Sequence, residues 1–198
     1  MTRVKFCGLT REEDVVHAVH LGVDFLGLNF VEASPRCLSL SRAQELSRTA
    51  YEAARASDLP QPVLVGVFAT DRLAEIDTIA VSCGLEYVQL HGLKGVSELP
   101  GLSRPCILAW QLDAPGVSPD FGAGSAWAHL VDAYDPERLG GTGKRCDWTQ
   151  AARLASECRL FLAGGLSPAN VAEAISRVRP YAVDVASGIE CAPGIKDV

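Results

Sequence analysis

Two groups in this chain are able to trade protons with a small substrate, and both sit where a strand would end. Cys7 closes the run Arg3-Val4-Lys5-Phe6-Cys7, and Asp132 closes an apolar run that starts at residue 128. A thiol accepts a proton only as thiolate, and an aspartate donates one only if burial or a neighbouring anion keeps it protonated, so each needs a tuned environment. Two glycine-rich turns, Gly164-Gly165 and Ser187-Gly188, follow later apolar runs and offer the main-chain N–H groups that cradle a phosphate. Either turn alone is an ordinary tight bend; as a pair on consecutive late strands they favour a phosphate site. Arg36, in Ser34-Pro35-Arg36, follows the second apolar run, and on composition alone an arginine after a proline is a solvated surface charge. The loop Gly140-Gly141-Thr142-Gly143-Lys144 lacks the full spacing of a nucleotide-binding P-loop and is expected to be a mobile flap over a substrate.

The elements that must position these groups follow from the alternation of short apolar runs with amphipathic stretches. Strands are predicted at 3–7, 24–30, 62–68, 86–90, 105–110, 128–132, 159–163 and 181–185, several of them continuously apolar as in a sheet covered on both faces. Helices are predicted at 11–21, 41–55, 71–82 and 167–177, the last opening on a cap and proline at Ser167-Pro168. Eight strands fit a closed parallel (β/α)₈ TIM barrel, in which chemistry sits on the loops after the strands' carboxyl ends. That placement also directs attention to Phe68 and to Gln89-Leu90-His91-Gly92. An open doubly wound sheet is disfavoured because no G-x-G-x-x-G loop follows the first strand.

Residues 111–126 are rich in Pro, Gly, Ser and Asp, so the fifth helix is expected to be vestigial. The last outer helix is expected to be missing, since the chain runs only to Val198 after the eighth strand. That would leave the outer faces of strands one and eight uncovered, with marginal stability and weak self-association through the seam as the expected consequence.

At 198 residues one domain over 1–198 is expected. A formal net charge of −6 argues against nucleic-acid or anionic-membrane binding, which need a basic footprint. No apolar run reaches the ~20 residues of a membrane span, and none at the amino terminus has signal-peptide length. These two points predict a cytoplasmic protein, and seven scattered cysteines without a C-x-x-C pair or zinc-ligand histidine spacing predict reduced thiols and no metal.

The ordered motifs KFCGLT at 5–10, SPR at 34–36, VGVF at 65–68, QLHG at 89–92, GGTGK at 140–144 with Asp147-Trp148, AGGL at 163–166, and VDVASGIE followed by PGIKD run the length of the chain. In this order they resemble the phosphoribosylanthranilate isomerases of tryptophan biosynthesis. The resemblance implies an Amadori rearrangement of N-(5′-phosphoribosyl)anthranilate to 1-(o-carboxyphenylamino)-1-deoxyribulose 5-phosphate, with no cofactor. It implies Cys7 as general base at the sugar C2′ and Asp132 as general acid at the ring oxygen. It also implies that Arg36 contacts the anthranilate carboxylate.

The phosphate would rest on Gly164, Gly165, Ser187 and Gly188. His91, Gly141, Thr142, Gly143 and Asp184 complete the expected substrate-binding set, although a structural role is the plainer reading for His91 and at least an equal one for Asp184. The role of Lys5 is left open. A small phosphosugar is the expected partner of a monomer or weak homodimer. A metal-dependent epimerase would need several strand-end ligands, and only His91 qualifies. An imidazole-pathway isomerase would carry aspartate in place of Cys7. A non-catalytic remnant is disfavoured by an intact Cys7 and Asp132.

Overall fold

The chain alternates strands and helices in the order β1 (Arg3–Cys7), α1 (Glu12–His20), β2 (Phe25–Asn29), α2 (Leu40–Ala56), β3 (Val63–Phe68), α3 (Leu73–Ser82), β4 (Tyr87–His91), β5 (Cys106–Leu112) and β6 (Ala128–Ala133). It continues with α4 (Trp148–Glu157), β7 (Leu160–Leu162), α5 (Val171–Val178), β8 (Ala182–Val185), a 3₁₀ turn (Ser187–Ile189), β9 (Glu190–Ala192) and β10 (Ile195–Lys196). The computed structural model describes residues 1–70, 72–92, 102–112, 126–133 and 147–197. Strands β1 to β8 close into a barrel in sequence order. All its pairs are parallel, and β8 returns to β1 through the pair Lys5 and Asp184.

Because strand side chains alternate, each barrel strand presents one set of residues to each side. Leu26, Leu28, Leu64, Phe68, Val88, Leu90, Leu108 and Trp110 face outward and bury against Val15, Ala18 and Val19 of α1, Ala43, Leu46 and Ala50 of α2, and Ile76 and Ala80 of α3. Phe25, Val65, Ile107, Leu130 and Phe161 fill the interior. Aromatic rings close its amino-terminal end: Tyr87 on Trp127 at 4.3 Å and Phe25 edge-on to Phe161 at 5.2 Å. The guanidinium of Arg159 lies 4.4 Å over Trp127, a cation–π contact on the same plug. With that end filled by apolar bulk, a cavity is expected only at the carboxyl ends of the strands, and there it lies.

Side-chain caps start two of the five described helices. Ser39 accepts from the Arg42 N–H at 3.2 Å to cap α2, and Asp147 accepts from the Thr149 N–H at 2.8 Å to cap α4. The expected start at Ser167-Pro168 is corrected: α5 begins at Val171. Asn170 is the reason, because its Oδ1 accepts from the Ser167 N–H at 2.9 Å and its Nδ2 donates to the Gly165 carbonyl at 2.9 Å. The side chain closes a turn in the residues that proline would have started as helix. Strand β5 runs to Leu112, two residues beyond expectation. Of the segment expected to carry a vestigial helix, 113–125 lies outside the described residues.

Among the described residues no helix follows β8; a 3₁₀ turn and the antiparallel β9–β10 hairpin do. Of the outward residues at the β1–β8 seam only Val183 is fully covered, while Val4, Phe6 and Val185 are half-buried. Val183 is 2% exposed, and Val4 packs against the apolar clusters on both sides. No described helix is long and apolar enough to cross a membrane.

Candidate active site

A cavity of about 810 Å³ opens at the carboxyl end of the barrel, walled by Cys7 and Gly8, Asn29, Ser34 to Arg36, Val67, Gln89, His91, Asp132, Asp184 and Ala186. A smaller recess of about 40 Å³ adjoins it, sharing Asp132, Asp184 and Ala186 and floored by Gly164, Gly165, Ser187 and Gly188. Cys7 on β1 and Asp132 on β6 therefore wall one cavity from strands that are not neighbours. Phe68, although at the end of β3, is outward-facing and stacked on Phe30 at 5.0 Å, so it lies in the core and not the site.

The recess is made of backbone. Gly164 and Gly165 adopt φ of 85° and 65°, the left-handed region that glycine tolerates. A Cβ on Gly188 would collide with the Leu166 carbonyl oxygen and lie 2.9 Å from its carbon, so the turns after β7 and β8 touch and no side chain fits between them. Asn170 pins the first turn from behind. The four residues expected to cradle a phosphate thus converge on one small pocket.

Beneath Cys7 lies a buried ion pair. Lys5 is fully buried, and its Nζ donates to Asp184 Oδ1 at 2.8 Å. Burial works to lower the Lys5 ammonium, but Asp184 and Cys7 outweigh it and hold the group above its ordinary value. The Cys7 thiol is pushed up, chiefly by burial with Asp184 adding to it, while the charges of Lys5 and Lys196 pull it back toward thiolate. Cys7 is accordingly a thiol at neutral pH. Lys5, left open on sequence, is the cation that partners Asp184 and faces Cys7.

His91 contacts Gln89, Nε2 to Nε2 at 2.8 Å, and burial together with the Lys5 charge lowers its pKa to about 4. The ring is neutral at pH 7. Gln89 is buried, and its Oε1 has no partner among the described residues. Gly141, Thr142 and Gly143 of the expected flap lie outside the described residues.

Arg36 is held in a way its sequence position does not disclose. Its Nε donates to both oxygens of Glu190 at 2.9 and 3.2 Å, and its Nη2 donates to Glu190 Oε2 at 2.5 Å. Glu190 also accepts from Lys196 Nζ at 2.9 Å, and that ammonium reaches the carbonyls of Cys7 at 2.7 Å and Ala186 at 3.1 Å. Burial works to raise the Glu190 carboxyl, but Arg36 and Lys196 outweigh it and hold it below the usual range. Glu190, Lys196, Asn170 and Asn29 were not singled out by sequence. The available signal was the polar ends of the VDVASGIE and PGIKD motifs, past the last barrel strand. Among the described residues no three His, Cys, Asp or Glu side chains converge as a metal set, and the six described cysteines are free thiols.

Comparison with known proteins agrees with this geometry. The sequence model of the family described as N-(5′-phosphoribosyl)anthranilate (PRA) isomerase matches residues 4–198. The N-(5′-phosphoribosyl)anthranilate isomerase of Geobacter sp. (strain M21) is 41% identical over 201 residues, covering 100% of this chain and 93% of the relative. The crystal structure of the phosphoribosyl anthranilate isomerase of Thermotoga maritima superposes with a TM-score of 0.82 at 34% identity, covering 100% of this chain and 93% of that one. A crystal structure of a phosphoribosyl anthranilate isomerase in complex with reduced 1-(o-carboxyphenylamino)-1-deoxyribulose 5-phosphate has a TM-score of 0.78 at 32% identity, with coverage of 100% and 93%.

Proposed function

This chain belongs to the N-(5′-phosphoribosyl)anthranilate isomerase family, and from that premise we propose how its residues divide the work. It is an aldose–ketose isomerase of tryptophan biosynthesis, rearranging N-(5′-phosphoribosyl)anthranilate to 1-(o-carboxyphenylamino)-1-deoxyribulose 5-phosphate. The phosphate rests on Gly164, Gly165, Ser187 and Gly188, where main-chain donors meet it without a counter-charge. The ribose spans the shared wall between Cys7 and Asp132, and the anthranilate ring points toward Arg36.

Asp132 gives its proton to the ring oxygen; the furanose opens and the anilino nitrogen becomes a protonated imine. Cys7, as thiolate, takes the C2′ proton, and the resulting enolamine becomes the ketose when C1′ is protonated and the 2′-hydroxyl loses its proton. Cys7 begins as a thiol, so it must first release its proton to solvent through the open cavity mouth, an ionisation that positive charge inside the complex favours. The cationic imine, with Lys5 and Lys196 already present, supplies that charge in a low-dielectric cavity. His91, neutral, and Gln89 face the sugar as hydrogen-bonding groups, and Asp184 holds Lys5 in place.

The working unit is a monomer or weak homodimer, a reading supported by a similar structure described as monomers of a dimeric phosphoribosylanthranilate isomerase. Free thiols at the six described cysteines support a cytoplasmic setting.

The observation that carries this reading is that Cys7 and Asp132 share a cavity whose one end is a backbone cradle and whose other holds Arg36. Cys7→Ala and Asp132→Asn should each lower kcat by about a hundredfold or more, while Kd for the reduced product analogue changes little. Turnover is followed by loss of the substrate's fluorescence. Near-parental kcat in either variant would remove that residue from its role.

A further inference from the structure

The β9–β10 hairpin is tied down on every side. Thr10 Oγ1 donates to the Gly194 carbonyl at 2.6 Å, and the Lys196 N–H donates to Asp14 Oδ2 at 3.2 Å. Lys196 Nζ bonds the ends of β1 and β8 through the carbonyls of Cys7 and Ala186. The result is a rigid platform, carrying the nearly fully buried Glu190 carboxylate to the edge of the cavity.

Arg36 meets that platform with one edge only. A guanidinium has two usable forks, the side formed by Nε and Nη2 and the end formed by Nη1 and Nη2. Glu190 occupies the side fork with both oxygens, and no described residue accepts from Nη1. The aliphatic stem of Arg36 crosses Gly8, where a Cβ would collide with Arg36 Cδ and lie 3.3 Å from Nε, so the guanidinium has one lane to lie in. Held from one side and guided from below, it has only its end fork left to offer the cavity.

We propose that Glu190 and Lys196 are positioning residues that aim Arg36 at the ring carboxylate of the substrate. Glu190 fixes the direction of the free fork. Lys196 cancels the Glu190 charge, so that the three groups together keep one positive charge for one incoming carboxylate. Without Lys196 the pair would be neutral, and an anionic ring would gain little by entering. The chemistry selected is an ortho-carboxylated aryl amine over the plain aryl amine.

This inference rests on the reading of Arg36 as the carboxylate partner, and the test separates the two. Equilibrium binding is measured for two probes: the reduced product 1-(o-carboxyphenylamino)-1-deoxyribulose 5-phosphate and its phenylamino counterpart lacking the carboxylate. Arg36→Ala sets the reference and should weaken the first probe selectively. Glu190→Gln, nearly isosteric, should raise the Kd of the carboxylated probe about tenfold and that of the plain probe by no more than about twofold. Lys196→Met should show the same selectivity. Should Lys196→Met fail to fold, Lys196→Arg, which keeps the charge, should bind the carboxylated probe within about threefold of the parent. Equal weakening of both probes by Glu190→Gln would make the platform merely structural. Tighter binding of the carboxylated probe would mean that Glu190 competes with substrate for Arg36. An unchanged Kd would mean that Glu190 does nothing for it, and each of these results overturns the proposal. If Arg36→Ala itself weakens both probes equally, the carboxylate reading fails and the inference falls with it; if Arg36→Ala is selective and Glu190→Gln is not, only the positioning role is lost.

Discussion

Replacing Lys5 by Met removes the cation beneath the thiol while keeping an unbranched side chain of similar length, and it strands Asp184 in a wall that is 8% exposed. Breaking a buried ion pair from one side costs about 3–5 kcal/mol. A stranded carboxylate can escape by taking a proton, and for an ordinary aspartate that costs about 4 kcal/mol at pH 7 and about 1.5 kcal/mol at pH 5, which caps the loss. Because Asp184 borders the open cavity, water relieves part of the charge, and about 3 kcal/mol is the expected loss at pH 7. For 198 residues the unfolding entropy is about 0.4 kcal/mol per degree near the melting point, so Tm should fall by about 7 °C at pH 7 and by about 4 °C or less at pH 5.

The sign follows from linkage. A carboxyl whose folded affinity for protons rises above its unfolded value destabilises the fold more as pH rises. Lys5 also depresses His91, so its removal lets that ring protonate more easily in the fold, which adds to the recovery at low pH. Thermal melts followed by circular dichroism, parent against Lys5→Met at both pH values, measure the difference directly, and Lys5→Met/Asp184→Leu should regain most of the loss. A deficit at pH 5 as large as at pH 7, or a double variant no more stable than the single one, would refute the ion-pair account.

Gly188→Ala should distort the contact between the turns after β7 and β8 and weaken inhibition by inorganic phosphate by about tenfold or more. Gly22→Ala is the control: it has a positive φ but open space, so it should cost about 1 kcal/mol of stability and leave phosphate inhibition alone; equal phosphate inhibition in the parent and Gly188→Ala would discard the cradle. His91 titrates near 4 in the fold against an ordinary 6.5, so the folded protein binds fewer protons across that interval and loses stability as pH falls through it. The ring borders the open cavity, which reduces the effect to about 2 kcal/mol, and urea unfolding from pH 7 to pH 4 should show His91→Gln sparing that much of the decline; an identical pH slope in parent and variant would rule out the depressed ring.

Much of the fold was legible because its periodicities are local. Eight apolar runs separated by amphipathic stretches specify a parallel barrel, and a barrel's site lies past its strand ends, so Cys7, Asp132, Gly164, Gly165, Ser187 and Gly188 could be selected by position alone. Where the expectation missed, a side chain reached across several residues. Asn170 turned the Ser167-Pro168 start into a turn, and Phe68 at a strand end faced the core because strand parity, not distance along the strand, decides the side. The motifs also determined the family, since their order survives without any knowledge of contacts.

What only the tertiary structure decided is how charges separated in sequence meet in a dry interior. Lys5 and Asp184 are 179 residues apart and become neighbours only when β8 closes on β1. Arg36 and Glu190, 154 apart, join because a hairpin folds back over the barrel mouth. A lysine or arginine read from sequence is a solvated charge by default. Burial makes each one expensive unless a partner is supplied, and that pairing, visible only when the chain is closed, puts the Lys5 ammonium beside the Cys7 thiol and the Glu190 carboxylate against the Arg36 guanidinium.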